Sequence, residues 1–275
     1  MSQSIGFIGG GNMARAILTS LSQHENSHQL FVCDRNLEKR EFFEKTLKVT
    51  ASADYRDFIN ELDVIILAIK PQGFPALLAE LKPLIQPHQL IISIAAGVSV
   101  DAILRGLGKS SHPIVRVMPN TPSTIGLGAS AIYANNEVSE DDKAITDTIF
   151  QSCGITAWLQ EERLISAAVA VSGSSPAYLF YLMEIMAKVG ESMGLDAKSS
   201  LALTQQAVLG AAKYSQEANL PLETLKKNVM SPQGTTERAI FSLENNHLDH
   251  IVKEAMQAAF DRDQELSEII SKEIL

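Results

Sequence analysis

The stretch Ile5-Gly6-Phe7-Ile8-Gly9-Gly10-Gly11-Asn12-Met13-Ala14 decides the fold of this 275-residue chain. A β-like apolar run leads through G-x-G-x-x-A into a helical pattern, which is the context that a dinucleotide-binding turn requires. Gly9 permits the tight turn, Gly11 lets backbone N–H groups approach a pyrophosphate, and Ala14 lets the helix pack closely on the sheet. The predicted cofactor contacts in this turn are Gly9, Gly11, Asn12 and Met13. The alternative is a glycine turn without a ligand.

The rest of the first half alternates short apolar runs with helical patterns. Continuous Ile- and Val-rich runs of this length are typical of strands covered on both faces of a parallel sheet. The predicted strands are Ser4–Ile8, Leu30–Cys33, Val64–Ile69, Leu90–Ile94, Ile114–Met118, Ala129–Tyr133 and Ile155–Leu159. The predicted helices are Asn12–Ser22, Leu37–Leu47, Phe74–Leu84, Val100–Leu107 and Glu140–Ser152. Repeated β-α-β units predict a doubly wound, Rossmann-like α/β domain over residues 1–160.

The second half, residues 161–275, has a helical pattern without a convincing strand. Ser174-Ser175-Pro176 combines a capping serine with an early proline, which is typical of a helix start. Further helices are predicted near residues 197–215 and 222–229, after Gly234, and from Leu248 towards Ile270. Their apolar faces are broad, which favours pairing between subunits, with a core inside one chain as the alternative. The sequence therefore predicts an all-helical second domain.

The composition is that of an ordinary soluble globular protein, with 45% hydrophobic and 20% charged residues. The formal net charge of -9 argues against nucleic-acid binding, which needs clustered Lys and Arg. No apolar run predicts a membrane span and no export signal is visible, so we expect a cytoplasmic protein. Cys33 and Cys153 form no CxxC or CxxH pattern, and no metal site is predicted.

Two adjacent residues after the second predicted strand give opposite signals about the cofactor. Asp34 falls where an acidic residue binds the ribose hydroxyls of NAD, whereas Arg35 could pair with the 2′-phosphate of NADP. The alternative for Arg35 is a surface pair with a glutamate. We expect NADPH with a slight preference, and NADH is possible.

Two further loops follow predicted strands at the edge where open α/β sheets bind ligands. In the first, Ala68, Lys70 and Pro71 are predicted cofactor contacts, although a lone lysine is also typical of solvated surface. In the second, Met118-Pro119-Asn120-Thr121-Pro122, two prolines stiffen the backbone. Asn120 is predicted to help hold the nicotinamide ring, and the alternative is a tight connection only.

Together these segments resemble the pyrroline-5-carboxylate reductase family over nearly the whole chain. The segments that carry the resemblance are residues 5–14, Lys70-Pro71-Gln72, Arg116–Pro122, Val171–Tyr178 and Ser231-Pro232-Gln233-Gly234-Thr235-Thr236. The resemblance implies hydride transfer from NAD(P)H to C5 of Δ1-pyrroline-5-carboxylate, which gives L-proline. It also implies a Rossmann domain followed by a helical substrate-binding and dimerisation domain, and a homodimer or a larger ring of dimers.

The resemblance assigns the substrate to the loop at residues 231–236. Ser231 and the N–H groups of Gly234 and Thr235 would bind the substrate carboxylate, and Thr236 would hydrogen-bond the ring nitrogen and help protonate it. Ser175 is a further predicted substrate contact, with a helix cap as the alternative. Gln233 stands where the family usually has glycine, so a positive φ there would strain the backbone.

Two other functions compete with this one. A β-hydroxyacid dehydrogenase shares the glycine turn, but it would need a Lys-x-x-Asn motif on the helix after residue 174, where the chain has only Lys188. A protein that binds NAD(P) without turnover is the other alternative, because a fold does not prove catalysis.

Overall fold

The computed structural model describes residues 2–23 and 28–274. The strands it describes form one sheet in the order β3-β2-β1-β4-β5-β6-β7-β8. Their bounds are β1 Ser4–Ile8, β2 Gln29–Cys33, β3 Thr50–Ser52, β4 Val64–Leu67, β5 Leu90–Ser93, β6 Ile114–Met118, β7 Gly128–Ala134 and β8 Gly154–Trp158. All neighbouring strands are parallel except β6 and β7, which are antiparallel. The predicted doubly wound α/β fold is confirmed.

Apolar strands form the centre of this sheet because helices cover both of its faces. Every residue of β4 and β5 is buried, and the apolar residues of the sheet divide into two core clusters. The helices are α1 Asn12–Gln23, α2 Leu37–Phe42, α3 Phe74–Leu81, α4 Val100–Leu107, α5 Glu140–Gln151, α6 Leu164–Ala168, α7 Ser175–Ser192, α8 Ala197–Glu217, α9 Leu222–Val229, α10 Thr235–Asn245 and α11 Leu248–Glu273. The predicted strands and helices of the first half match this order.

Strand β3 is absent from the predicted set. It has only three residues, Thr50–Ser52, and all of them are small or polar, so the run is too short and too weakly apolar to stand out. It pairs in parallel with the end of β2. The predicted helix Leu37–Leu47 is present, but its second half is a π-helical turn, Phe43–Leu47.

The predicted helix start at Ser174-Ser175-Pro176 is confirmed, since α7 begins at Ser175 with Pro176 as its second residue. What precedes this start was not predicted. Ser174 has helical backbone angles (φ −92°, ψ −24°) and follows a π-helical turn, Val169–Gly173, which itself continues α6. The helical backbone therefore runs on from Leu164, and a proline in the first turn of α7 does not interrupt it. Ser175 is therefore the first residue of α7 inside a longer helical run.

This longer run changes one further expectation. By length and composition alone, the helical run Leu164–Ser192 is apolar enough to cross a membrane, and 22% of its most apolar window is buried. In the sequence alone the residues before and after Ser174 do not form one helical pattern, so an apolar helix of that length is not predicted. Core helices of soluble proteins have the same property, so the run is weak evidence for a membrane.

The chain divides into two compact units at boundaries that differ from residues 160 and 161. The sheet unit comprises Met1–Ser174 and Ala259–Leu275, and the helical unit comprises Ser175–Ala258. The sheet unit includes α6, and it includes the end of α11 because Ile270 and Ile274 are buried in the core of the sheet. An amphipathic pattern shows that a helix has an apolar face but not what covers that face.

The helical unit is held together by close packing of α7 on α8. The Ser200 hydroxyl donates to the Ala187 carbonyl (2.7 Å), and a side chain at Gly190 would collide with that serine. Few apolar residues of this unit are buried, whereas Phe180 is 63% exposed and Met193 is 81% exposed. Much of its apolar surface therefore lacks a cover within the described chain.

Candidate active site

The glycine turn after β1 lies against the end of β4, where the strand order of the sheet changes direction. Gly9 has φ +107°, and a Cβ atom there would lie 2.5 Å from the Ala68 carbonyl oxygen. Its N–H donates to the Cys33 carbonyl (2.9 Å), which fixes the turn to β2 as well. This switch point is where doubly wound sheets bind dinucleotides.

The space above the turn is open. A Cβ atom at Gly11 would come no closer than 4.0 Å to any atom outside its chain neighbours. Helix α1 begins at Asn12, and in the described chain no acceptor is found for the N–H groups of Gly11, Asn12 or Met13. Unpaired N–H groups at a helix N-terminus suit a pyrophosphate. The residues present therefore fit the predicted dinucleotide.

The Asp34 carboxylate is already bonded to the glycine turn. Its Oδ2 accepts from the Gly10 N–H (3.0 Å) and from Lys39 Nζ (3.0 Å), and its Oδ1 accepts from the Asn36 N–H (2.8 Å). Burial opposes ionisation of Asp34, but these hydrogen bonds outweigh it, so the pKa lies below its usual value. Asp34 positions the turn, and this occupies much of its capacity to bind ribose.

Arg35 lies beside a cavity of about 580 Å³ in the sheet unit. Its guanidinium makes no ion pair within 4.0 Å in the described residues, but its charge acts on Glu80. Hydrogen bonds from Tyr55 and Arg56, and to a smaller extent the charges of Arg56 and Arg35, hold the pKa of Glu80 below its usual value, so the predicted alternative of a pair with glutamate is present only as this longer-range attraction. The cavity is also lined by Gly9, Tyr55 and Glu80. The Tyr55 hydroxyl donates to Glu80 Oε2 (2.7 Å), and burial followed by this bond raises the pKa of Tyr55 well above its usual value.

Tyr55 and Glu80 were missed by the sequence analysis because β3 was missed. Tyr55 follows β3 in a short 3-10 turn capped by Asp54, whose carboxylate accepts from the Arg56 N–H (3.0 Å). Arg56 also pairs with Glu80 (2.8 Å). An Asp after a short β-like run was the available signal for this turn.

The loop after β4 places two predicted contacts beside the glycine turn. The Ala68 N–H donates to the Ile8 carbonyl (2.9 Å), and the Ala68 carbonyl is the atom that approaches Gly9. Lys70 is exposed and makes no ion pair in the described chain, and Pro71 begins a 3-10 turn directly after it. Lys70 is therefore available for an anionic ligand.

Asn120 is buried (8% exposed), and both ends of its amide have protein partners. Its Oδ1 accepts from the Ala129 N–H (2.9 Å), and its Nδ2 donates to the Ser172 carbonyl (2.9 Å). Little of this side chain remains for the predicted contact with nicotinamide. The structure instead gives it a connecting position within the sheet unit.

The predicted substrate loop lies in the helical unit and contains the strained residue that the sequence predicted. Gln233 has φ +62°, and its N–H donates to Glu237 Oε2 (2.9 Å). The next residue, Gly234, is the N-cap of α10 with an ordinary φ of −82°. A Cβ atom at Gly234 would lie 2.8 Å from the Ser231 carbonyl oxygen, so this position requires glycine for space.

The N-terminus of α10 has unpaired donors. No side chain caps this helix, and in the described chain the N–H groups of Thr235, Thr236 and Glu237 have no acceptor. The N–H of Gly234 already donates to the Ser231 carbonyl (2.9 Å), so it is a poorer carboxylate donor than the sequence analysis expected. The donors available to an anion lie one to two residues further along the helix.

Two residues of α7 bear on the competing predictions. Ser175 is partly buried and is the first residue of α7, and its two predicted roles, a contact with substrate and a helix cap, both remain predictions. Lys188 is exposed and pairs with Glu184 one turn away on the same helix. That pairing offers no support for a catalytic lysine of the hydroxyacid dehydrogenase type.

Comparisons with known proteins agree with this arrangement. Residues 4–97 match a family model described as NADP oxidoreductase, coenzyme F420-dependent, and residues 162–266 match the model for pyrroline-5-carboxylate reductase dimerisation. Pyrroline-5-carboxylate reductase from Pseudomonas aeruginosa is 38% identical over 265 residues, which cover 96% of this chain and 97% of that protein.

Two solved structures are also similar along the chain. Pyrroline-5-carboxylate reductase from Coxiella burnetii has a TM-score of 0.90 and 38% identity, covering 96% of this chain and 98% of the other. The Plasmodium falciparum pyrroline carboxylate reductase with NADP bound has a TM-score of 0.83 and 28% identity, covering 96% and 98%. The predicted fold, oxidoreductase class and NADP-type cofactor are confirmed by these matches. With a relative at 38% identity over almost its full length, the chain belongs to the pyrroline-5-carboxylate reductase family.

Proposed function

We propose that this protein reduces Δ1-pyrroline-5-carboxylate to L-proline with NADPH, and more slowly with NADH. The observation that carries the proposal is the loop at residues 231–236, which presents unpaired N–H donors at the start of α10 in a chain with an intact dinucleotide turn. When bound, the reduced cofactor supplies the hydride. The remaining work of the protein is to bind, orient and protonate.

The carboxylate of the substrate is assigned to the start of α10. The N–H groups of Thr235 and Thr236 suit a carboxylate because the positive end of the helix dipole adds to their hydrogen bonds. The Ser231 hydroxyl is exposed and has no partner in the described chain, so it can donate a further hydrogen bond. The hydroxyl of Thr236 is assigned to the imine nitrogen, where it helps to deliver a proton as the C=N bond is reduced.

The preference for NADPH rests on Asp34 and Arg35. The Asp34 carboxylate accepts three hydrogen bonds from the protein, whereas the Arg35 guanidinium makes no close ion pair among the described residues and acts on Glu80 only through its charge. A guanidinium without a close partner next to the cavity suits the 2′-phosphate that distinguishes NADPH from NADH.

We assign the exposed apolar faces of the helical unit to contact between copies of this chain, in a homodimer or a ring of dimers. Exposed apolar patches of this kind mark protein interfaces, and the match to a dimerisation model spans this unit. Contact between copies would also cover apolar residues of the run Leu164–Ser192, which a cytoplasmic protein would otherwise expose to water. Sedimentation equilibrium tests it, and a monomer at micromolar concentration would contradict it.

The activity is tested by following the loss of nicotinamide absorbance with Δ1-pyrroline-5-carboxylate, and by identifying proline as the product. Thr236→Val removes the hydroxyl but keeps the backbone donors and the shape, so kcat should fall by about 10²-fold, as for loss of a general acid. Thr148→Val, at an exposed position of α5, removes a hydroxyl that bonds only its own helix and is the matched control. Folded wild-type protein that binds NADPH but oxidises none of it would refute the proposal.

A further inference from the structure

The two hydrogen bonds of the Asn120 side chain act as a structural clamp. Its loop follows β6, whose carboxyl end lies at the same sheet edge as those of β1 and β4, because these strands are parallel. The amide joins this loop to the start of β7 through the Ala129 N–H and to the π-helical turn through the Ser172 carbonyl. It therefore connects three segments of the sheet unit.

The Ser172 carbonyl needs this partner for a reason that the sequence contains. If the α-helical pattern of α7 extended back to this residue, the Ser172 carbonyl would accept from the N–H four residues later, but that residue is Pro176, which has no N–H, and the chain forms a π-helical turn here instead. The Asn120 amide takes the place of the missing donor. A second close contact supports the same docking, since a Cβ atom at Gly173 would lie 3.1 Å from Met118 Cε.

We propose that Asn120 is a positioning residue that holds the loop at residues 119–125 against the π-helical turn Val169–Gly173, and that it does so in place of binding the cofactor directly. This inference rests on the proposed function for its catalytic consequence. A loop held in this way keeps the end of β6 fixed where the reduced nicotinamide is expected. Its loss should impair hydride transfer more than cofactor affinity.

The other end of β6 provides a matched control. Asn135 Oδ1 accepts from the Ile114 N–H (3.2 Å), and its Nδ2 donates to the His112 carbonyl (2.8 Å). Like Asn120, it bonds backbone groups through both ends of one amide, although both of its partners lie in one segment, residues 112–114. It lies at the amino end of β6 and so at the opposite edge of the sheet.

The experiment compares Asn120→Ala, Asn135→Ala, Pro176→Ala and the double variant N120A/P176A. For each, kcat, KM, the Kd of NADPH and the thermal midpoint are measured, with hydrogen exchange of the peptide spanning residues 169–178. N120A should lower kcat by about 10- to 100-fold, keep the Kd of NADPH within about twofold, and speed exchange in that peptide. Both N120A and N135A should lower the thermal midpoint by about 2–4 °C. N135A should leave kcat and the exchange of residues 169–178 unchanged.

The double variant decides the role of the Ser172 carbonyl. P176A supplies the missing backbone N–H, so N120A/P176A should recover part of the lost midpoint and slow the exchange, a non-additive result expected only for groups that share a partner. If N120A alone does not fold, the clamp predicts that the double variant does. Additive effects, an unfolded double variant, or a rise in the Kd of NADPH as large as the fall in kcat would overturn the inference. Exchange and midpoint do not depend on turnover, so an inactive wild type would refute only the proposed function.

Discussion

Two glycine-containing turns of this protein, at Gly9 and at Gln233-Gly234, tolerate side chains very differently. Both precede a helix whose first N–H groups are unpaired, but at Gly9 a Cβ atom would strike a backbone carbonyl at 2.5 Å. At Gln233 the backbone has a similar left-handed φ of +62°, yet a long side chain is present and exposed. A positive φ therefore requires glycine strictly only where the fold also closes the space around the Cβ atom.

The largest effect is expected from Gly9→Ala, which tests the turn that does not tolerate a side chain. The substitution combines a φ of +107° with a collision against a backbone atom that cannot rotate away. We expect a loss of about 3 kcal/mol or more in the free energy of unfolding, together with loss of NADPH binding by calorimetry. Gly11→Ala is the control, because its Cβ atom would enter open space, so its thermal midpoint should be close to that of the wild type while NADPH binding weakens.

An intermediate effect is expected from Asp34→Asn, which changes how the same turn is held. The amide keeps the shape but loses the charge that accepts from the Gly10 N–H and from Lys39, at a cost of about 1–2 kcal/mol. Since folding lowers the pKa of Asp34, its stabilisation is complete above the usual carboxyl pKa of 3.8 and is lost as the pH falls below it. Urea unfolding between pH 3 and pH 7 should therefore show a smaller acid loss for D34N than for the wild type.

The control for that experiment is Asp101→Asn, which removes a carboxylate from an exposed pair with Arg105 on α4. Exposed pairs contribute little, so the change should stay below about 0.5 kcal/mol. An equal acid dependence for D34N and the wild type would mean that Asp34 does not hold the glycine turn.

Much of the fold and part of the candidate site could be predicted from the sequence. The glycine turn, the strands and the family were predictable because long apolar runs and a fixed glycine spacing constrain the backbone locally. The strain at Gln233 was predictable because the residue stands where a glycine is expected. By contrast, β3 has too few residues to give a pattern. Because this strand was not predicted, Tyr55 and Glu80 were not identified either.

The remaining errors concern partners that a local pattern cannot identify. Ser174-Ser175-Pro176 does mark a helix start, but its pattern does not show that a π-helical turn joins this helix to α6, or that Asn120 bonds the Ser172 carbonyl. The end of α11 is apolar on one face, but only the folded chain places Ile270 in the core of the sheet. The bond from the Gly234 N–H to the Ser231 carbonyl is local, but it depends on the turn that the backbone of the loop adopts, which the sequence pattern did not specify.

The smallest effect is expected from Gln233→Gly, and it tests the tolerant turn directly. Left-handed backbone costs a non-glycine residue about 1–2 kcal/mol, and the greater freedom of glycine in the unfolded chain returns about 0.5–1 kcal/mol of that, so a net gain near 0.5 kcal/mol is expected. His247→Gly, with φ +56° outside the loop, should give a similar gain in stability and no change in KM. Gly234→Ala should do the opposite, because its Cβ atom would meet the Ser231 carbonyl oxygen at 2.8 Å. If Q233G destabilised the protein while H247G stabilised it, the Gln233 side chain would have to make a favourable contact in the folded loop, and the contrast with Gly9 would lie in that contact and not in open space.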